Sequence, residues 1–131
     1  MIGLDTNVVV RYLIQDDLQQ SRRATQIFNH QLTTTRPGFL SVVTMVEVVW
    51  VLDRAYGLAA QEIAAALERM LQTDVLMIEN EPEVFTAMIA LKEKSGTFAD
   101  ALVAALGAKA GCKHTLTFDQ KALRLSGFEP A

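Results

Sequence analysis

Short apolar runs alternate with longer stretches of helical periodicity along this chain, and no tight hairpin turn joins any two of the runs. The runs that are expected to form strands begin near Ile2, Phe39, Val75 and His114. Antiparallel neighbours can be joined by a two-residue turn, whereas parallel strands need a longer crossover, which is usually a helix. The alternation therefore predicts an α/β fold with a parallel sheet of four or five strands, flanked by helices on both faces.

The size and composition of the chain predict one domain over residues 1–131. Half of the 131 residues are apolar, which is enough to build a core. Cys112 is the only cysteine, and the first residues lack the basic and apolar stretches of a secretory signal, so a cytoplasmic protein is expected. The most apolar stretch, residues 39–52, is short for a membrane span and carries Glu47, so no membrane segment is expected.

The overall charge gives no direct indication of nucleic-acid binding. A net charge of −3, from 12 basic and 15 acidic residues, provides no basic field over the whole protein. If four of the acids face bound cations, however, the remaining acids and the basic residues are nearly equal in number. The acidic balance could therefore belong mainly to a single site.

Residues 42–56 are predicted to form a helix that carries an unusual carboxylate. Many β-branched residues make a long strand the competing prediction, but the segment exceeds the usual strand length. Ser41, Thr44 and Glu47 recur at every third position and give one narrow polar stripe. A carboxylate among valines needs hydrogen bonds, a cation or a proton. The almost wholly apolar helix predicted over Phe98–Ala110 is likewise expected to lie deep in the fold.

Four acids are expected at one edge of the predicted sheet. Asp5 and Asp119 end predicted strands, Asp100 lies in the first turn of a helix, and Glu47 lies about two turns into another. Ligands of open parallel sheets bind beyond the carboxyl ends of the strands, where such residues meet. Each aspartate also has a purely structural explanation, because Asp5 and Asp119 are placed as helix N-caps and Asp100 has the capping-box spacing from Thr97.

If the four carboxylates do converge, their chemistry predicts a metal site. Carboxylates brought together repel one another and become harder to ionise unless cations are bound. Ligand sets made only of oxygen favour Mg²⁺ or Mn²⁺ over zinc, and neither His30 nor His114 has a zinc-ligand spacing. Bound Mg²⁺ can activate water and neutralise phosphoryl oxygens during phosphodiester hydrolysis.

The order of these acids resembles the four acidic motifs of PIN domains, and most closely those of VapC-type toxins, ribonucleases of bacterial toxin–antitoxin pairs. The motifs are Asp5-Thr6-Asn7, Ser41 to Glu47, Phe98 to Leu102, and Thr117-Phe118-Asp119. The resemblance implies a Mg²⁺- or Mn²⁺-dependent endoribonuclease with Asp5, Glu47, Asp100 and Asp119 as catalytic residues, and with Asp5 and Asp100 as metal ligands. It further implies that Thr6, Asn7 and Thr117 orient the carboxylates, and that a small cognate antitoxin places an arginine or lysine against the acidic pocket.

The substrate and partners are predicted in outline only. RNA contacts are expected from basic residues near the site, namely Arg11, Lys92, Lys94, Lys113 and Lys121. Apolar helices and a mean hydropathy of +0.21 predict a homodimer, while Tyr12, Trp50 and Phe98 are expected in the core.

Two other functional classes remain open. A doubly wound phosphoacceptor or phosphatase domain also uses a strand-end aspartate, but it needs a partner acid and a lysine that this pattern lacks. A non-catalytic PIN-like binding module would be expected to have lost some of the acids.

Overall fold

The structure is a computed structural model that describes residues 1–131. The helices are α1 Thr6–Leu13, α2 Leu18–Gln26, α3 Val42–Arg54, α4 Ala60–Leu71, α5 Glu81–Lys92 and α6 Phe98–Lys109. The strands are β1 Ile2–Gly3, β2 Gly38–Leu40, β3 Leu76–Ile78, β4 Thr115–Thr117 and β5 Phe128–Pro130. A π-helical turn over Ile27–Gln31 extends α2, and a 3₁₀ helix covers Ala122–Arg124.

Side-chain caps explain where four of the helices begin. Asp5, Asp17, Ser41 and Thr97 precede α1, α2, α3 and α6, and the side chain of each accepts a hydrogen bond from a backbone N–H of the first turn. The cap of α1 is thus Asp5, in agreement with the structural explanation given for this residue. The local sequence therefore sets the helix starts that follow β1 and β2.

The five strands are all parallel, as the sequence predicts, but they form two sheets. In the first sheet β2 lies between β1 and β3, with Gly38 opposite both Ile2 and Leu76. In the second, β4 pairs with β5, with Thr115 opposite Phe128. The α/β class is confirmed. The expectation that β4 would join the same sheet is wrong, because its backbone groups pair with β5, a short strand ending in proline that shows little strand character in the sequence.

The core is built mainly by the helices. Leu67 of α4, Met88 of α5 and Phe98 of α6 are buried together with Met45 and Leu52 of α3 in one cluster of 21 residues. None of the helices is both long and apolar enough to cross a membrane.

Two apolar helices are less enclosed than their sequences predict. In α6, Phe98 and Leu102 are buried, but the side of the helix that carries Val103 faces outward, and Val103 is 51% exposed. In α3, Trp50 is 61% exposed, so its expected place in the core is wrong. Tyr12 was also expected in the core, and its ring stacks on that of Phe28, with ring centroids 3.9 Å apart. The outward apolar sides of α3 and α6 have no covering element within the monomer.

Candidate active site

Asp5 lies directly beyond β1, where the chain turns into α1. Its Oδ1 accepts a hydrogen bond of 2.8 Å from the Thr6 N–H, and the residue is exposed. No other hydrogen bond to this carboxylate is found, so its second oxygen remains open to a ligand. Capping and metal binding are therefore compatible for Asp5, because the cap uses only one of the two oxygens.

Glu47 is held by the residue that follows Asp5. The hydroxyl of Thr6 donates a hydrogen bond to Oε1 of Glu47 and so links α1 to α3, and Thr6 itself is buried. Glu47 is exposed, and not enclosed among valines as the sequence suggested. This direct contact supports the predicted orienting role of Thr6. Because Glu47 is exposed, water or a ligand can reach its carboxylate.

Asp5 and Glu47 line the same cavity, which has a volume of about 370 Å³. We call it the acidic cavity. Its other polar walls are Thr6, Asn7, Arg11 and Tyr56, and Trp50 forms part of its rim. The structure therefore brings together two of the four predicted acids and two of the three predicted orienting residues.

Arg11 is fixed at the acidic cavity by a polar network. Its guanidinium donates hydrogen bonds to Asp16 at 3.0 Å, Tyr56 at 2.9 Å and Gln20 at 2.8 Å. Desolvation lowers the pKa of Arg11, but Tyr56 and Asp16 outweigh this effect and leave the pKa above its usual value. A cation held beside two carboxylates can meet an anionic substrate without first losing side-chain freedom.

Asp100 lines a second cavity, of 350 Å³, next to the first turn of α6. Its N–H donates to the hydroxyl of Thr97 at 3.1 Å, as the capping spacing predicted, and this bond leaves the carboxylate free. Lys94, Lys121 and Arg124 line the same space, which we call the basic cavity. Asp100 is thus placed among cations and does not line the acidic cavity.

Glu47 lies close to α6 although Asp100 lines a different cavity. A groove between α3 and α6 is lined by Glu47 and Trp50 on one side and by Ala99 and Val103 on the other. Ala99 precedes Asp100 in the first turn of α6. The turn that carries Asp100 is therefore a neighbour of the acidic cavity.

Asp119 lines neither the acidic nor the basic cavity. It follows β4 and is exposed, and its Oδ1 accepts from the Lys121 N–H at 2.8 Å. The hydroxyl of Thr117 accepts from the Asp119 N–H at 3.0 Å, so Thr117 supports the turn and does not orient the carboxylate. Both contacts match the turn-capping explanation. The separation of β4 from the first sheet accounts for this position.

No three Asp, Glu, His or Cys side chains are arranged to hold one metal ion together. Full convergence of the four acids is therefore not observed. Protein sites for Mg²⁺ commonly use only one or two carboxylates, with water and substrate phosphate completing the coordination. Asp5 and Glu47, which present oxygen ligands at one accessible cavity, fit that kind of ion.

The sequence interpretation missed two residues, one that contacts the start of α3 and one that lines the basic cavity. Glu79 follows β3, and its carboxylate accepts from the Val42 N–H at 2.9 Å at the start of α3. An acid directly after an apolar strand is the same signal that marked Asp5, so it could have been found. Arg124 lines the basic cavity, but its place in a 3₁₀ helix carried no comparable signal.

A family model, the PIN domain, matches residues 2–127. The chain belongs to the PIN domain family. A VapC ribonuclease from Aquifex aeolicus (strain VF5) is similar to this PIN domain, with 24% identity over 126 residues that cover 96% of this chain and 92% of that protein. No solved structure matches this chain. The family assignment confirms the resemblance inferred from the four motifs and removes the phosphoacceptor or phosphatase alternative.

Proposed function

We propose that this PIN domain is a Mg²⁺- or Mn²⁺-dependent endoribonuclease that acts in the cytoplasm as the toxin of a toxin–antitoxin pair. The observation that carries the proposal is the acidic cavity, where Asp5 and Glu47 meet and Thr6 joins them through its hydrogen bond to Glu47. The similarity to a protein named VapC ribonuclease supports the choice of RNA as substrate and of an antitoxin as partner.

Asp5 and Asp100 are proposed as metal ligands, and Glu47 and Asp119 as the acids that complete the site. The bound ion would activate water and neutralise charge on the phosphoryl oxygens. Support for Asp100 comes from the closeness of its helical turn to Glu47. The proposed role of Asp119 rests on its motif, because its side chain lies outside both cavities.

The other residues of the acidic cavity position the reacting groups. Thr6 restrains the Glu47 carboxylate, and Asn7 forms another polar wall of the acidic cavity. Asp16 and Tyr56 hold Arg11 through Nη1 and Gln20 holds it through Nε, so Nη2 is left to donate to an RNA phosphate. The same carboxylates would accept an arginine or lysine from a small antitoxin, which would compete with the metal and with RNA.

Metal-dependent cleavage by the purified protein tests the proposed function. A single-stranded RNA carrying a fluorophore and a quencher should be cleaved in Mg²⁺ or Mn²⁺ and should remain intact in EDTA. Asp5→Asn should lower kcat/KM by about 100-fold or more, a loss of about 2.7 kcal/mol of transition-state stabilisation, because one ligand charge is removed at nearly constant volume.

Asp17→Asn is a matched control for Asp5→Asn. Asp17 also caps a helix, accepting from the Gln20 N–H at 2.9 Å, but it lines neither the acidic nor the basic cavity. If capping alone mattered, both variants would lose a similar amount of stability and both would keep their activity. Absence of cleavage by the folded wild-type protein would instead favour the non-catalytic binding module.

We also propose a homodimer in which the apolar groove between α3 and α6 faces its copy. The groove has a volume of 520 Å³, and all but one of its lining residues are hydrophobic. Three large apolar residues of the groove are exposed, namely Val43 at 72%, Trp50 at 61% and Val103 at 51%. Exposed apolar surface of this kind is typical of interfaces. Because Trp50 also borders the acidic cavity, the contact would lie beside the proposed active site.

A further inference from the structure

The basic cavity brings together three cations from two separate parts of the chain. Lys94 comes from the connection between α5 and α6, whereas Lys121 and Arg124 come from the segment around the 3₁₀ helix. The acids of the cavity are Asp53 and Asp100. Asp53 is partly offset by Arg54, whose Nε lies 3.8 Å from the Asp53 carboxylate. The cavity therefore carries an excess of positive charge, although the chain as a whole is acidic.

All three cations are exposed, and none forms an ion pair with a side chain. In contrast, Lys92 pairs with Glu68 and Lys109 with Glu83. Like charges gathered around one space repel one another unless an anion occupies it. The cations of the basic cavity are thus available to a ligand, whereas those on the neighbouring helices are already engaged.

The backbone holds Lys94 in a defined and unusual position. Its φ of 58° lies in the left-handed region, which residues other than glycine rarely adopt. Backbone hydrogen bonds enclose this residue, with Lys94 N–H donating to Leu91 and Ser95 N–H donating to Ala90. Gly96 lies two residues further along, and a Cβ there would lie 2.6 Å from Leu125, so the connection packs closely on the C-terminal segment. This contact keeps Lys94 and Arg124 on walls of one cavity.

We propose that the basic cavity binds a backbone phosphate of a single-stranded RNA next to the phosphate that is cleaved. This inference rests on the proposed ribonuclease function, because Asp100, a proposed metal ligand, lines the same cavity as the three cations. Lysine and arginine side chains bind phosphates through charge-assisted hydrogen bonds. A strand held here at one phosphate would extend past Asp100 toward Glu47, and Arg11 would meet it at the acidic cavity.

The salt dependence of RNA binding tests this proposal without requiring cleavage. Binding of a fluorescent single-stranded RNA is measured by anisotropy in EDTA at several salt concentrations. For single strands, the slope of log K against log salt changes by about 0.7 for each phosphate contact. Lys121→Gln with Arg124→Gln should therefore reduce the slope by about 0.7, because the basic cavity holds one phosphate. Between about 50 and 200 mM salt, the wild type should then lose about 2.6-fold more affinity than the double variant.

Arg36→Gln with Arg69→Gln is the control, because both arginines are exposed and line neither the acidic nor the basic cavity. This control should keep the wild-type slope. Phosphate contacts carry no sequence information, so the loss in the test variant should be equal for two RNAs of unrelated sequence. Circular dichroism melts establish that each variant is folded, and the single variants Lys121→Gln and Arg124→Gln should each reduce the slope by less than the double variant does.

An unchanged slope in the test variant, an equal change in the control, or a loss confined to one RNA sequence would overturn the proposal. The outcome is separable from that of the proposed function. Cleavage with an unchanged slope removes the phosphate site alone. A reduced slope without metal-dependent cleavage keeps an RNA phosphate site and removes the ribonuclease.

Discussion

Single side chains in this protein combine structural and chemical roles. Asp5 caps α1 with one carboxylate oxygen and presents the other to the acidic cavity, so the capping and ligand explanations are not exclusive. Thr6 is buried, and its hydroxyl reaches across to Glu47. At this scale the contact between Thr6 and Glu47 matters most, because it sets the position of a carboxylate that would otherwise move freely on an exposed helical face.

Thr6→Val should separate positioning from packing. Valine has a similar shape but cannot donate to Glu47, so the free energy of unfolding should fall by about 0.5 to 1.5 kcal/mol. Glu47 lies beside the proposed ligand Asp5 in the acidic cavity. Loss of a side chain that supports a metal site typically weakens metal affinity about 10- to 100-fold, so the Mg²⁺ concentration for half-maximal cleavage should rise by that factor. Urea denaturation and Mg²⁺ titrations of the cleavage rate measure the two effects.

Thr86→Val serves as the control for this substitution. The Thr86 hydroxyl also donates a hydrogen bond, to the Pro82 carbonyl at 3.1 Å, but it does so on the exposed surface of α5. It should leave the Mg²⁺ dependence unchanged. A Thr6→Val protein that is less stable but has the wild-type Mg²⁺ dependence would show that Thr6 contributes only to packing.

Among the elements, the connection between α5 and α6 does the most to shape the basic cavity. It contains Lys94, whose positive φ marks the turn, and Gly96, which packs against Leu125. The close approach joins two segments that lie far apart in sequence. The position of Lys94 relative to Arg124 therefore depends on how tightly this connection meets the C-terminal segment.

Gly96→Ala should disturb that packing. An added Cβ would lie 2.6 Å from Cδ1 and 2.7 Å from Cγ of Leu125, so the unfolding free energy should fall by about 1 to 3 kcal/mol through overpacking. Gly3→Ala is the control, because no heavy atom lies within 4 Å of its added Cβ. Denaturant unfolding of both variants measures the difference.

A double-mutant cycle tests the cause of this loss. Leu125→Ala removes the atoms that the new methyl group would meet, so in the Gly96→Ala background it should cost less than it does alone, with a coupling of about 0.5 to 3 kcal/mol. Additive effects of the two substitutions would exclude a direct clash between these positions.

The whole molecule leaves one apolar face uncovered, and this is the surface on which the homodimer proposal rests. Val103→Asp should weaken the dimer about 30-fold or more, because a polar group buried without a partner costs about 2 kcal/mol or more, and each 1.4 kcal/mol is tenfold in affinity. Sedimentation velocity over a range of concentrations measures the shift from dimer to monomer.

Phe85→Asp is a matched control for Val103→Asp. Phe85 is 50% exposed, almost the same as Val103, but it lies on α5, outside the apolar groove. This variant should sediment as the wild type does. A wild-type protein that remains monomeric at high concentration would contradict the homodimer, and equal weakening by both substitutions would contradict the assignment of the face.

The sequence alone determined most of the local structure, because its signals act over a few residues. Helix periodicity predicted the helices over residues 42–56 and 98–110, and the capping spacing between Thr97 and Asp100 marked the start of the second. The order of four acidic motifs predicted the PIN domain, which the family model confirms over residues 2–127. Strand–helix boundaries also marked Asp5 as a candidate site residue, and the polar stripe on α3 did the same for Glu47.

Only the tertiary structure decided which of these residues meet. The pairing of β4 with β5 places Asp119 outside the acidic cavity, and this pairing depends on backbone hydrogen bonds to a strand with weak propensity. The packing of α6 gave Asp100 the cations of the basic cavity as neighbours, and it turned Val103 outward. Apolar composition shows that a helix can be buried, but the side that is buried depends on which other helices cover it. Distances between side chains far apart in sequence follow from that packing and not from local propensity.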